Sequence, residues 1–385
     1  MTALPEPDRG RVPELDGVRG LAILLVLVWH YGVCELGTLP LLFQPLALTW
    51  SGVTLFFVLS GYLIGGILLD HRHATNYFAA FYGRRVCRIL PIYYVWLLLF
   101  TVAIIIVPRL PIGSAATAWI LEPRFPIWSY ATFTQNFFQA RADTFGANWL
   151  SITWSLAVEE QFYLLLPVLI RFTPSRWLPF ILSAGAVAGP VSRAFLYDPR
   201  AVNQTATMAL LITNTDGLFL GVLCAWFIRR KDGAARIARW ASALRVVFFS
   251  ALGFEILDAY AADSLAKRLR SGFFLALTYT AFLLLAVHVP ASPFSRIARW
   301  SWLRKLGIVA YGTYLVHEAV RGLVFGLALQ RWPYVRQLRE LGWNVVALAI
   351  TLAVTAVSWR WFEKPIVRYG RRRWIYRDDG AAFSR

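Results

Sequence analysis

Charged side chains are scarce in this sequence. Asp, Glu, Lys and Arg make up 16% of its 385 residues, against 58% hydrophobic. A water-soluble chain of this length needs far more polar surface, so a soluble globular protein is excluded and a polytopic membrane protein is expected. Cysteine is nearly missing as well. Cys34, Cys87 and Cys224 lie far apart and without ligand spacing, which argues against a disulfide framework and a zinc site, so no metal is expected. A removable leader is not indicated either. The opening "MTALPEPDRGRVPELDG" mixes acids and bases, and no small-residue cleavage site follows its apolar run, so the first span is expected to be retained. Nor is there a visible internal repeat of the kind many transporters carry.

What the sequence does have is aromatic residues, basic residues and apolar runs. Seventeen Trp and sixteen Tyr suit a chain with two membrane–water interfaces. The net charge of +18 would elsewhere suggest nucleic acid. Here the basic residues sit between apolar runs, so the positive-inside bias explains them and no nucleic-acid partner is expected. About twenty apolar residues cross a bilayer as a helix. That rule gives an all-α protein with about ten spans, near 17–36, 50–69, 89–107, 153–172, 177–196, 208–228, 244–260, 272–290, 307–329 and 343–361. The stretch 115–137, interrupted by Glu122, Pro123, Arg124 and Pro126, is ambiguous on hydropathy alone. If it does not cross and both termini are cytoplasmic, 26 of the 39 Lys and Arg fall inside and 12 outside. A crossing there would move "RRKDGAARIARW" outside, against the bias. The expected organisation is a cytoplasmic segment over 1–14, a membrane domain over 15–365 and a basic cytoplasmic tail over 366–385.

Ionisable residues at membrane depth are costly and therefore functional candidates. Arg19 and His30 bracket the first span. Eleven residues at about 100° each come to roughly 20° past three turns, which puts the pair on one helix face about 16–17 Å apart. Such a pair suits a long ligand held at its charged end near the cytoplasm while its reactive end reaches the histidine. A snorkelling arginine and a histidine bonded between helices explain the same spacing. Arg84, Arg85 and Arg88 in "FYGRRVCRILPIYY" are either ordinary cytoplasmic charge or a clamp for phosphate oxygens. Glu159 and Glu160 enter the span "WLSITWSLAVEEQFYLLLP" about 100° apart, so Glu159 can orient a histidine or an acceptor hydroxyl. Trp154 and Tyr163 offer faces for a sugar or macrocycle. His317 and Glu318 in "AYGTYLVHEAV" serve either the chemistry or helix association, and Asp216 lies mid-span in "NTDGLFLGVL". His71, His73 and His288 look incidental. Ser60 and Gly61 in "LSGYLIGG" read as a packing face, with no G-x-S-x-G context for a nucleophilic serine.

In combination, "LDGVRGLAILLVLVWH", "GVTLFFVLSGYLI", "RRVCRILPIYY", "WSLAVEEQFYLLLP", "DGLFLGVL", "YGTYLVHE" and "WFEKPIV" resemble the acyltransferase-3 family over about Leu15 to Pro365. These are membrane O-acyltransferases of bacterial surface glycans, lipopolysaccharide, Nod factors and some macrolides. The resemblance implies that His30 is the key catalytic residue and that Arg19 is also required. It further implies that Arg85 and Arg88 bind an acyl-CoA donor, and that Glu159 is the acidic position of the SLAVE segment. His317 joins Trp154 and Tyr163 in the expected substrate-binding set. With no SGNH hydrolase segment in the sequence, the stand-alone branch is the nearer match. Glu318 stands where relatives commonly have an apolar or aromatic residue.

The expectation is then an enzyme of the inner (cytoplasmic) membrane, with acyl-CoA, acetyl-CoA foremost, as co-substrate and no bound cofactor. The acceptor is a glycan, lipopolysaccharide or macrolide hydroxyl. A neutral imidazole of ordinary pKa, about 6.5, takes the hydroxyl proton as the oxygen attacks the thioester, or His30 carries the acyl group itself. A proton-coupled transporter or flippase is the competing class, since buried His, Glu, Asp and Arg suit a carrier equally well.

Overall fold

The computed structural model describes residues 12–33, 41–261, 264–335 and 338–377. Cys34, most of the 1–14 segment and the end of the basic tail lie outside the described residues. The described residues are helical, with no strand among them. Ten longer helices carry the fold: α1 (Pro13–Val28), α2 (Gly52–Asp70), α3 (Tyr77–Ile106), α4 (Thr153–Phe172), α5 (Leu178–Leu196), α6 (Thr215–Ile228), α7 (Ala241–Asp258), α8 (Leu265–His288), α9 (Ala310–Leu329) and α10 (Leu338–Ser358). Each overlaps one of the ten segments expected to span, and α3 begins twelve residues before its expected segment.

Length and apolarity alone qualify six helical stretches as membrane spans: Pro13–Val33, Leu42–Asp70, Tyr77–Arg109, Leu178–Leu196, Leu265–His288 and Leu338–Arg373. A seventh arises if the pair Gly233–Arg239 and Ala241–Asp258, bent by 66°, counts as one. The expected ten crossings therefore stand at six or seven on those criteria. α6 belongs to a shorter apolar helix. The other two, α4 and α9, carry Glu159, Glu160, His317, Glu318 and Arg321, the polar groups that a site inside a bundle requires. The ambiguous 115–137 stretch forms two short helices, Ser114–Leu121 and Ile127–Ala131, of eight and five residues. Neither is long enough to cross.

The lipid-facing surface is plain in the exposed side chains. Leu98, Leu99 and Ile105 on α3, Phe180 and Phe195 on α5, and Val345 and Val357 on α10 are all exposed, a density of apolar surface that a bilayer accommodates and water does not. Inside, close approach fixes the helix pairs. A Cβ added to Gly61 would lie 2.0 Å from the Leu218 carbonyl oxygen, so α2 and α6 pack backbone to backbone, as the small-residue face predicts. α1 opens with Pro13, whose missing N–H is harmless at the first turn, and with Glu14 and Asp16 near the positive end of the helix dipole. Arg299 Nε donates to Glu14 at 2.5 Å, and a Cβ on Gly20 would meet the Leu303 carbonyl oxygen at 1.9 Å. These contacts fix the start of α1 against the segment that holds the short helix Ser301–Ile308.

Asp216, His288 and His71, all noted in the sequence, have side-chain partners here. Asp216 forms a 2.6 Å ion pair with Arg193 of α5, and both are buried. Arg193→Ala leaves that carboxylate without its partner, and breaking such a pair costs roughly 3–5 kcal/mol. The expected outcome is a marked drop in the thermal unfolding midpoint of detergent-purified protein, measured by tryptophan fluorescence. His288 shares a 2.8 Å hydrogen bond with the Tyr62 hydroxyl, and His71 stacks on Tyr376 with centroids 4.0 Å apart. The described part of the C-terminal segment is docked. Asn76 donates to the Ile375 carbonyl at 2.8 Å, and Arg84 Nε donates to the Trp374 carbonyl at 2.5 Å.

Candidate functional site

Two cavities lie toward opposite ends of α1, one lined by Arg19 and the other by His30. The inner one, about 110 Å³, is lined by Arg19 of α1, Ser60 of α2, Arg85 and Arg88 of α3, and Glu159 and Tyr163 of α4. Three guanidinium groups thus converge from two helices, near the arginine-rich loop ends. The chain builds this end locally. Lys-free α3 carries Arg85 and Arg88 three residues apart, so both face the same side of the helix. Arg84, the third arginine of the run, is used instead to hold Trp374. Arg19 Nη1 lies 3.2 Å from Asp16 Oδ1, and the Arg85 guanidinium sits over the Tyr163 ring, 6.0 Å from its centroid.

Glu159 belongs to this inner end. Ser60 Oγ donates to Glu159 Oε1 at 2.6 Å, and the Tyr163 hydroxyl donates to Ser60 Oγ at 3.2 Å. Tyr163 therefore sits with the arginines and not with Trp154, whose expected sugar-facing role it was to share. Ser60, read from sequence as a packing position only, is the link between the two. The small-residue pattern around it hid a polar function that depends on α4 lying opposite.

The outer cavity is larger, about 580 Å³. Its lining includes Trp29, His30, Trp50, Trp154, Asn148 and Glu255. Val53 and Tyr314 line both cavities, so they form the partition between them. The Tyr314 hydroxyl donates to the Ile152 carbonyl at 3.0 Å and shares a 2.6 Å hydrogen bond with Ser155 Oγ. Arg19 and His30, placed by spacing on one helix face, line different cavities. A π-helical turn, Trp29–Val33, follows α1 and carries His30. Turns of this kind, wider than an α-helix, recur at functional sites.

His30 Nδ1 lies 3.0 Å from the Val26 carbonyl, and a ring nitrogen so placed donates, which leaves Nε2 as the acceptor. That nitrogen is 3.9 Å from Glu318 Oε1. His317 stands behind it, with ring centroids 4.8 Å apart at 65°, and is completely buried. It packs against the His30 ring and is not among the residues that line either cavity. Arg321 Nη1 donates to Glu318 Oε1 at 3.3 Å, and the Tyr31 hydroxyl donates to the His317 carbonyl at 3.1 Å. Glu318, which the sequence left without a role, is the carboxylate that faces the His30 ring, while Glu159 accepts from Ser60 at the inner end.

The arrangement has the parts of a group-transfer site: a cationic end, an aromatic and polar end, and a basic nitrogen at the latter. Known proteins resemble the chain along most of its length. The family described as an acyltransferase domain, acyltransferase-3, matches residues 12–360. A putative peptidoglycan O-acetyltransferase of Bacillus subtilis is 29% identical over 94% of this chain and 56% of its own length. An O-acetyltransferase of Staphylococcus aureus is 26% identical over 95% of this chain and 58% of its own. A peptidoglycan O-acetyltransferase of Listeria monocytogenes is 26% identical over 94% and 57%. The chain thus spans a little over half the length of these relatives. No solved structure matches it.

Proposed function

Because this chain belongs to the acyltransferase-3 family, we propose that it is a multi-pass O-acyltransferase of the cytoplasmic membrane. It moves an acyl group, acetyl foremost, from acyl-CoA to a hydroxyl of a carbohydrate acceptor. The observation that carries this reading is the pair of cavities separated by Val53 and Tyr314. Arg19, Arg85 and Arg88 suit the phosphates of a coenzyme A entering from the cytoplasmic side, because guanidinium groups bind phosphate oxygens in pairs. The outer end combines Trp29, Trp50 and Trp154 with Asn148, Asn203 and Glu255, faces and acceptors suited to a sugar ring. Relatives named for peptidoglycan favour a glycan over a macrolide.

In this reading the acceptor hydroxyl lies against His30 Nε2 and the thioester reaches it past Tyr314. The hydroxyl oxygen attacks the thioester carbonyl while Nε2 takes the proton. The C–S bond then breaks, and the departing thiolate of coenzyme A is protonated from the His30 imidazolium. Glu318, held by Arg321, stabilises the positive ring between those events. Purified protein given acetyl-CoA and a glycan acceptor is expected to release free thiol in proportion to acetylated product. A proton-coupled carrier releases none, and that result would overturn the proposal.

A further inference from the structure

Next to the outer cavity, three side chains aim acceptor atoms at one another. His30 Nε2 lies 3.9 Å and His317 Nε2 lies 3.8 Å from Glu318 Oε1, and the ligand atoms of the three residues all fall within 4.8 Å of each other. The tautomers are fixed from behind. His30 Nδ1 is 3.0 Å from the Val26 carbonyl and His317 Nδ1 is 2.6 Å from the Tyr314 carbonyl. Each Nδ1 therefore carries the hydrogen, and each Nε2 presents a lone pair. Two lone pairs and a carboxylate facing one point do not bond to each other. They need a proton or a cation between them. His317 Nε2 is buried with no hydrogen-bond partner among the described residues.

We propose that His30, His317 and Glu318 form a binding site for a divalent cation of the zinc class, and that occupancy stops acyl transfer by taking the His30 Nε2 lone pair. The second half rests on the reading of His30 as the base; the first does not. Two imidazoles and one carboxylate are the donor set that zinc and its neighbours prefer. The surrounding bonds have the form found around metal sites, where ligating histidines donate their other N–H to a carbonyl and the ligating carboxylate is itself hydrogen-bonded. Here the carbonyls of Val26 and Tyr314 and the guanidinium of Arg321 fill those places. A triangle with sides of 3.9 and 3.8 Å and a third of at most 4.8 Å has its centre at most about 2.5 Å from each corner, against about 2.0–2.2 Å for zinc ligands, so an inward shift of at most about 0.5 Å per ligand closes the site. The outer cavity, which His30 lines, leaves room for a fourth ligand.

The test uses the full chain in detergent, titrated with zinc chloride by calorimetry and with cobalt chloride by visible absorption. One zinc ion per wild-type chain is expected, with cobalt giving the absorption of a low-symmetry, nitrogen-ligated ion. His317→Gln and Glu318→Gln each remove a ligand and are expected to weaken binding by more than the roughly 10–100-fold typical of outer-shell changes. Thiol release from acetyl-CoA should fall in step with zinc occupancy and return on adding a chelator. Wild-type protein that takes up no more zinc than the His30→Ala/His317→Ala double variant, or none, overturns the site and leaves the acyltransferase reading intact. Stoichiometric zinc with undiminished turnover overturns the blocking role, and the reading of His30 as base with it. The wild-type titration decides the first question even where a variant does not fold.

Discussion

His30→Ala is expected to reduce thiol release from acetyl-CoA at least a thousandfold while leaving expression, membrane insertion and gel-filtration profile unchanged. General-base catalysis alone accounts for about 10²–10⁴-fold, and the same nitrogen is asked to return its proton to the leaving thiolate. The substitution should be structurally mild. His30 lines the outer cavity, and the π-helical turn that carries it is formed by main-chain atoms. A variant that keeps more than a tenth of wild-type turnover would show that another group takes the proton. A folding failure is distinguishable, because it appears in the gel-filtration profile and not in turnover alone.

The second large effect falls on the donor. Arg85→Ala together with Arg88→Ala is expected to raise the KM for acetyl-CoA a hundredfold or more, with a smaller fall in kcat. Charge-assisted hydrogen bonds to phosphate are worth about 1.5–3 kcal/mol each, and these two guanidinium groups line the same cavity. Arg84→Ala is the control. It should loosen the docked Trp374–Arg377 segment, where Arg84 Nε meets the Trp374 carbonyl, and change KM little. Equal KM values for the double variant and the wild type would remove the phosphate role from this pair.

Much of this arrangement is legible in the sequence, because its signals are local. Apolar runs of about twenty residues place the ten helices, and the three-residue spacing of Arg85 and Arg88 places both on one helix face. Gly61 and its small neighbours announce the close packing of α2 on α6, which the Leu218 carbonyl confirms. The rest depends on which helices meet. Straight-helix arithmetic puts Arg19 and His30 on one face but says nothing of the partition between them, since Tyr314 comes from α9, far along the chain. Glu159 and Glu318 look equivalent as buried carboxylates, yet one accepts from Ser60 at the cationic end and the other faces His30. Ser60 carries the signature of packing and of hydrogen bonding at once, and only the position of α4 decides between them. The count of spans was blurred by the same residues that make the site, because the polar side chains of α4 and α9 lower the apolarity by which a span is recognised.

The proposed reaction brings donor and acceptor to His30 from opposite ends of the bundle. Its most direct measurement is acetyl transfer in proteoliposomes of known orientation, with labelled acetyl-CoA supplied to one face at a time and a glycan acceptor to the other. The expected result is turnover only when acetyl-CoA meets the face that exposes the loop before Arg85, with none from the reverse arrangement. Equal turnover from both faces would contradict the two-cavity account.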